Sequence, residues 1–91
     1  MDAAPADRDR DRAMLMARAQ ASEREAYRRL LEDITPFVRV LAARRLHDAS
    51  EVEDAVQDVL LTVHLIRHTY DPSRPFAPWL AAVTKRRVID R

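Results

Sequence analysis

The chain contains no glycine in 91 residues. Glycine adopts left-handed backbone angles at little cost, so tight hairpins and phosphate-cradling loops depend on it. Alanine, leucine, arginine and glutamate are abundant instead, and all four favour helix. The sequence therefore predicts an all-α protein, and its length suits one small bundle of three to four helices.

Composition also excludes several classes of protein. Cysteine is absent, which rules out a disulfide framework and the usual cysteine-based zinc sites. No apolar run approaches the roughly 18 residues that span a bilayer, and the N-terminus lacks the apolar middle of a signal peptide. We therefore expect a cytoplasmic protein without membrane insertion.

The N-terminal half is predicted to contain a tail followed by helices. Residues 1–11 show no apolar periodicity and predict a disordered tail, so we expect the helical domain to cover residues 12–91. Ser22 and Glu25 have the spacing of a capping box at a helix start. Pro36 predicts either a kinked helix or two helices in series. Helical spacing predicts a buried face made of Tyr27, Leu30, Leu31 and Ile34.

The strongest helical pattern runs from residue 48 to residue 68. Ser50 and Glu53 repeat the capping-box spacing at its start. Apolar residues then recur every three or four positions, which is typical of a helix face packed on a core. These residues are Val52, Val56, Val59, Val63 and Ile66.

A second strip on this predicted helix is polar. Asp54, Gln57, Asp58 and Leu61 follow the spacing i, i+3, i+4 and i+7, so they share one face. An ordinary solvated face remains one interpretation, because most charge runs are nothing more. The leucine favours the other interpretation, a protein partner whose basic residues surround a small apolar anchor.

Prolines at every third position interrupt the helical pattern at Pro72, Pro75 and Pro78. The spacing is that of polyproline ligands of SH3-type domains, but such ligands normally lie in disordered tails. We predict an ordered loop instead, attached to the bundle by Phe76 and by Trp79, which we place in the core.

A basic helix is predicted to follow the loop, with Lys85, Arg86 and Arg87 near its end. Cations at a helix C-terminus complement the helix dipole, and this simpler explanation stays open. After an aromatic loop, the same residues favour single-stranded or distorted DNA, which needs cations for phosphates and flat side chains for unstacked bases.

Two other classes of function remain open. His64 and His68 lie four positions apart with Asp71 nearby, which is a possible but incomplete metal site. A helical protein-interaction domain without DNA contact is the second alternative. Neither a cofactor nor an enzymatic activity is expected.

The ordered set of features resembles region 2 of bacterial sigma factors, in particular those of the extracytoplasmic-function (ECF) group. The resemblance covers "DASEVEDAVQDVLLTVHLIRHTYDPSRPFAPWLAAVTKRRVIDR", residues 48–91, and residues 12–47 are compatible with it. It is carried by a D-x-x-Q-D helix, a Tyr-Asp loop, an aromatic-x-x-Trp-Leu segment and a basic helix ending in Ile-Asp.

The resemblance implies two partners. Asp54, Gln57 and Asp58 match the motif that binds the clamp helices of the RNA polymerase β′ subunit, and Leu61 completes their strip. The loop and the basic helix match the part that opens the −10 promoter element and holds a flipped base of the non-template single strand. The residues we expect to bind DNA are Tyr70, Asp71, Ser73, Arg74, Phe76, Lys85, Arg86 and Arg87.

The resemblance also leaves differences. The family commonly has a small polar residue where Arg86 stands. A complete ECF factor continues into a linker and a second domain that reads the −35 element (region 4), which this chain lacks. We therefore expect an isolated region 2 domain of a longer protein, and an anti-sigma factor as a further partner.

Overall fold

The computed structural model describes residues 5–89, and this part of the chain forms four α-helices and no β-strand. The all-α prediction is therefore confirmed. A short 3₁₀ turn, Arg67–Thr69, follows the third helix, and a loop joins it to the fourth. The helices are α1 (Pro5–Gln20), α2 (Arg24–Ala43), α3 (Ala49–Ile66) and α4 (Phe76–Ile89).

The four helices surround one apolar core. α2 and α4 each pack against all three other helices, whereas the backbones of α1 and α3 do not approach each other closely within the described residues. Burying one leucine, isoleucine or phenylalanine side chain contributes about 1.5 to 3 kcal/mol, so the core dominates stability. Its completely buried large side chains include Met16, Leu30, Ile34, Val56, Val63, Phe76 and Leu80.

The structure differs from the predicted disordered tail over residues 5–11, which belong to α1. Proline suits a first helical turn because its fixed backbone angle matches the helix. Asp9 makes tertiary hydrogen bonds to the start of α4, and Met16 on the same helix is completely buried. These tertiary contacts outweigh the weak local pattern. Residues 1–4 of the predicted tail lie outside the described residues.

The turn between α1 and α2 is closed by Ser22, which takes the left-handed backbone angle φ 70°. The amide of Ser22 donates to the Ala19 carbonyl at 2.9 Å, and the amide of Glu23 donates to the Arg18 carbonyl at 3.1 Å. This pair of bonds is a Schellman motif, in which glycine is the usual residue at the left-handed position. The predicted capping box is wrong, because Ser22 ends α1 and the N-cap of α2 is Glu23.

α2 continues through Pro36 as one helix, so the structure selects a single helix over two in series. Proline has no amide hydrogen and leaves the Glu32 carbonyl without its helical partner. Glu32 is an exposed residue. One residue before Pro36, the Thr35 hydroxyl donates to the Leu31 carbonyl at 2.6 Å.

α3 begins after Asp48, whose carboxylate accepts from the Ser50 amide at 2.8 Å and the Ser50 hydroxyl at 2.9 Å. These hydrogen bonds lower the pKa of Asp48. The capping box predicted from Ser50 and Glu53 is therefore wrong. Glu53 instead binds Arg39 of α2 through two hydrogen bonds of 2.7 and 2.9 Å. The apolar stripe is confirmed, with Ile66 half-buried and four valines buried: Val52, Val56, Val59 and Val63.

Candidate functional site

The polar strip of α3 lies on the surface, away from the core valines. We call Asp54, Gln57, Asp58 and Leu61 the α3 strip. Asp58 is half-buried and the other three are exposed, with Leu61 at 58%. Leu65, which was not predicted, is 71% exposed and lies one turn beyond Leu61. The sequence contained a signal for Leu65, because it lies four positions after Leu61 and therefore on the same helix face. The strip therefore presents carboxylates beside two uncovered leucines, which suits a partner with basic and apolar groups.

The proline loop is ordered by Asp71. Its carbonyl accepts from the Arg74 amide at 3.0 Å, and its carboxylate accepts from the Ser73 amide at 2.9 Å and the Ser73 hydroxyl at 2.7 Å. Pro72 occupies the second position of this turn, where a fixed φ is favourable. The bonds from Ser73 lower the pKa of the Asp71 carboxyl group, and the nearby Arg74 charge adds to that effect. The loop thus has a defined shape that its own hydrogen bonds hold.

Three aromatic rings attach the loop to the bundle. The Tyr70 ring centroid lies 5.2 Å from that of Phe76 and 5.4 Å from that of Trp79, and the Phe76 and Trp79 centroids are 5.6 Å apart. Such pairs contribute beyond their buried area. The Tyr70 hydroxyl also donates to the Arg74 carbonyl. Burial, together with the Asp9 and Asp71 carboxylates, raises the pKa of Tyr70.

The structure places two of the residues predicted to bind DNA largely inside the core. Phe76 is completely buried and Tyr70 is 3% exposed, so neither ring is free to stack broadly on a base. They fill the core because the rest of the loop offers only polar residues and prolines. Asp71, Ser73 and Arg74 are exposed, as a DNA-binding role requires. Trp79 is half-buried and packs against the core, in line with its predicted anchoring role.

A cleft of about 340 Å³ opens between the loop and the start of α4. It has an aromatic side formed by Tyr70 and Trp79 and a polar side with hydroxyl, carboxylate and guanidinium groups. A planar heterocycle needs both an apolar surface and hydrogen-bonding groups at its edge. We call this feature the loop cleft, and it is lined by Thr69, Tyr70, Asp71, Arg74, Pro75, Pro78 and Trp79.

Two residues of α1 hold the loop from behind. The Gln20 side-chain amide donates to the carbonyls of Arg67 and Tyr70, each at 2.8 Å. The Asp9 carboxylate accepts from the amides of Phe76 at 2.9 Å and Ala77 at 2.6 Å. Sequence reasoning missed both residues, because nothing local marks a contact between positions 47 to 68 residues apart.

The basic residues of α4 all project outward. Lys85, Arg86 and Arg87 are exposed, whereas Thr84 and Val88 on either side are buried. The Thr84 hydroxyl is satisfied by the Leu80 carbonyl at 2.9 Å. All three cations predicted to bind phosphate are therefore accessible.

The structure places His64, one of the two histidines of the possible metal site, against a tyrosine. His64 Nδ1 is hydrogen-bonded to the Tyr27 hydroxyl at 2.9 Å, and the two rings stack with centroids 5.7 Å apart. Over residues 5–89, no group of three or more histidine, cysteine, aspartate or glutamate residues is placed to hold a metal ion. In the same range, no helix has the length and apolarity to cross a membrane.

Comparisons with known proteins agree on one family. The family model for sigma-70 region 2 matches residues 30–91. The chain is 39% identical over 85 residues to the ECF RNA polymerase sigma factor SigF of Caulobacter vibrioides, covering 92% of this chain and 48% of SigF. It is 30% identical over 85 residues to the ECF RNA polymerase sigma factor RpoE of Cereibacter sphaeroides, covering 92% of this chain and 47% of RpoE. The chain thus spans about half the length of the curated relatives it matches.

A solved structure has the same fold. It is an NMR structure of an engineered region 2 of sigmaE in complex with GTAAAA. The TM-score is 0.79, with 22% sequence identity, 87% of this chain covered and 82% of the other.

Proposed function

Because the chain belongs to the sigma-70 region 2 family, we propose that it binds core RNA polymerase and recognises and opens the −10 element of a promoter. The loop cleft is the observation that carries this proposal. It combines an aromatic wall, exposed polar groups and an adjoining basic helix in one ordered surface. The likeness of the whole chain to ECF sigma factors supports it.

The α3 strip is the proposed contact with the clamp helices of the polymerase β′ subunit. Asp54 and Asp58 meet basic side chains, while Leu61 and Leu65 supply the apolar centre of the contact. Exposed leucines on a small domain are unfavourable in water, and a protein partner that covers them gains that free energy. An anti-sigma factor that competes with polymerase would bind the same exposed surface.

The loop cleft is the proposed site for a base of the non-template strand. Extruding a base costs a few kcal/mol of stacking and pairing, which contacts inside a pocket offset. Trp79 and the edge of Tyr70 offer the apolar wall, and Asp71 and Arg74 offer an acceptor and donors. Ser73 lies at the rim on the same turn. Lys85, Arg86 and Arg87 are proposed to hold the phosphates of the same strand.

The proposed domain keeps residues 12–91 and gains the first turns of α1, because Asp9 supports α4. The −35 element would be read by a separate region 4 domain. A protein with these partners acts in the cytoplasm, where promoters and polymerase lie, and it contributes binding energy without catalysing a reaction itself.

The test is a fluorescence anisotropy titration of this chain, with core RNA polymerase present, against labelled GTAAAA and a scrambled strand of the same composition. We expect polymerase binding and a preference for GTAAAA. Polymerase binding with equal affinity for the two strands would remove sequence reading. Polymerase binding without binding of either strand would favour an interaction domain without DNA contact, and unchanged strand binding by Arg74→Ala and Lys85→Ala would remove these residues from the contact.

A further inference from the structure

One side chain from outside the loop reaches the point where the loop cleft begins. Gln20 is the last residue of α1, and its side-chain nitrogen donates to the Arg67 and Tyr70 carbonyls, each at 2.8 Å. A carbonyl can only accept, so the amide nitrogen must face both carbonyls, and both of its hydrogens are used. Gln20 is half-buried, and the two hydrogen bonds lie in part-buried surroundings. The contact therefore uses the whole donor capacity of this side chain.

The Tyr70 carbonyl needs a donor because the chain leaves its helical turn there. Tyr70 follows the last residue of the 3₁₀ turn and has extended backbone angles, φ −74° and ψ 132°. Pro72 has no amide hydrogen. The amides three and four positions after Tyr70 both donate to Asp71. A part-buried carbonyl without a donor is unfavourable, so Gln20 satisfies a group that the following turn leaves open.

Tyr70 connects this hydrogen bond to the loop cleft. The Tyr70 carbonyl and the Cα atom of Asp71 belong to one rigid peptide plane, so fixing the carbonyl fixes the direction in which the chain enters the loop. The Tyr70 ring lies on the aromatic side of the cleft, and Asp71 lies on its polar side. Both sides of the cleft therefore depend on the peptide group that Gln20 holds.

We propose that Gln20 is a positioning residue for base recognition, an inference that rests on the proposed function. Gln20 does not line the loop cleft, so it acts through Tyr70 and Asp71. A cleft that is held in its binding shape loses less conformational entropy when a base enters. A strand whose base does not fit is held by phosphate contacts alone and gains nothing from that shape. Gln20 therefore raises the preference for the matching strand and leaves the affinity for other strands unchanged.

A purely structural role is the alternative, because losing two hydrogen bonds also lowers stability. Asp48→Ala is the matched comparison, since Asp48 accepts two hydrogen bonds from Ser50, at 2.8 and 2.9 Å. Asp48 precedes the first residue of α3, whereas Arg67 follows the last. The 18 residues of α3 span about 27 Å at 1.5 Å per residue. Asp48→Ala therefore removes the same number of hydrogen bonds far from the loop cleft.

The first measurement uses the chain alone. Trp79 is its one tryptophan, it lines the loop cleft, and its ring centroid lies 5.4 Å from that of Tyr70. Its fluorescence therefore reports on the cleft without DNA or polymerase. We expect Gln20→Leu to shift the emission to longer wavelength and to steepen acrylamide quenching, because a displaced Tyr70 ring uncovers the indole. Asp48→Ala should leave both unchanged.

The second measurement is the ratio of the affinities for labelled GTAAAA and a scrambled strand, with core RNA polymerase present. Gln20→Leu should lower this ratio by about two- to tenfold, because ordering of the loop then falls on the binding step. Gln20→Glu has acceptors in place of the donors and should act in the same way. Gln20→Lys retains donors and should recover most of the ratio. Asp48→Ala should keep the ratio of the unmutated chain, and thermal unfolding sets a temperature at which every variant is folded.

Three results would overturn the inference while the proposed function stands. They are a ratio for Gln20→Leu equal to that of Asp48→Ala, equal weakening of both strands, and unchanged Trp79 fluorescence in Gln20→Leu. Equal affinity of the unmutated chain for the two strands would instead remove the proposed sequence reading, on which the inference rests. That failure appears before any variant is compared, so the two are distinguishable.

Discussion

Replacing Asp9 by alanine should destabilise the bundle from the side of the proline loop that faces α1. Asp9 is the N-terminal cap of α4, although it belongs to α1. It accepts from the amides of Phe76 and Ala77, and the next residue, Pro78, has no amide hydrogen. The carboxylate therefore satisfies every donor in the first three positions of α4, both in part-buried surroundings.

The expected cost follows from those two bonds. Removing a side-chain cap costs about 0.5 to 2 kcal/mol, and a hydrogen bond to a charged group contributes about 1.5 to 3 kcal/mol. We expect Asp9→Ala to lower the free energy of unfolding by about 2 to 3 kcal/mol. A domain of this size loses about 4 to 8 °C of Tm per kcal/mol, so the melting temperature should fall by at least about 8 °C.

Urea denaturation and thermal melting followed by circular dichroism measure this effect. Asp11→Ala is the matched control, because Asp11 is an exposed carboxylate on the same helix without an ion pair to residues 5–89. Asp9→Asn retains one acceptor oxygen and should fall between the two. A free energy for Asp9→Ala within about 0.5 kcal/mol of the control would refute the capping argument.

Three further changes test other parts of the molecule. Ser22→Gly should raise the free energy of unfolding by about 0.5 to 1 kcal/mol in urea titrations, because glycine takes the left-handed angle without the Cβ clash, and a decrease would contradict the Schellman assignment. Asp58→Arg should weaken polymerase binding at least about tenfold while the helix content is unchanged. Glu51→Arg lies outside the α3 strip and should leave polymerase binding unchanged. Equal effects of the two changes would remove the strip from the interface. Asp48 has a lowered pKa when folded, so its stabilisation is present above the ordinary value of about 3.9 and is lost as pH falls through the folded value. The urea midpoint of Asp48→Ala should therefore depend less on pH in this acid range, and an unchanged dependence would contradict its capping role.

Features that repeat along one helix were predictable from the sequence. Val56, Val59 and Val63 are buried as their spacing predicted, and the exposed face with Leu61 is where the same periodicity placed it. The resemblance to region 2 of sigma factors is confirmed by the family match, and the similar relatives are ECF sigma factors. Predictions of this kind are reliable because helix geometry alone determines which positions share a face.

Helix ends and long-range contacts were less predictable. The spacing around Ser22 fits a helix start, but without any glycine in the chain this serine serves to end the preceding helix. Aromatic residues suit both a core and a base-binding surface, so only the packing decided that Phe76 is buried. Asp9 and Gln20 act across more than 40 positions, and no local pattern encodes that.

Because two residues of α1 hold the ends of the loop, the residues between those ends can be substituted with little effect on the bundle. Gln20 holds the residue where the loop begins and Asp9 holds the residues where it ends, so its two ends are fixed by groups that do not belong to it. Residues 71–75 between them are exposed and contribute little to the core. Other residues could occupy the exposed positions of this span without disturbing the bundle. A loop that keeps the turn formed by Asp71 loses less conformational entropy when it binds. Under the proposed function, a change of base preference therefore needs only a few substitutions in this span.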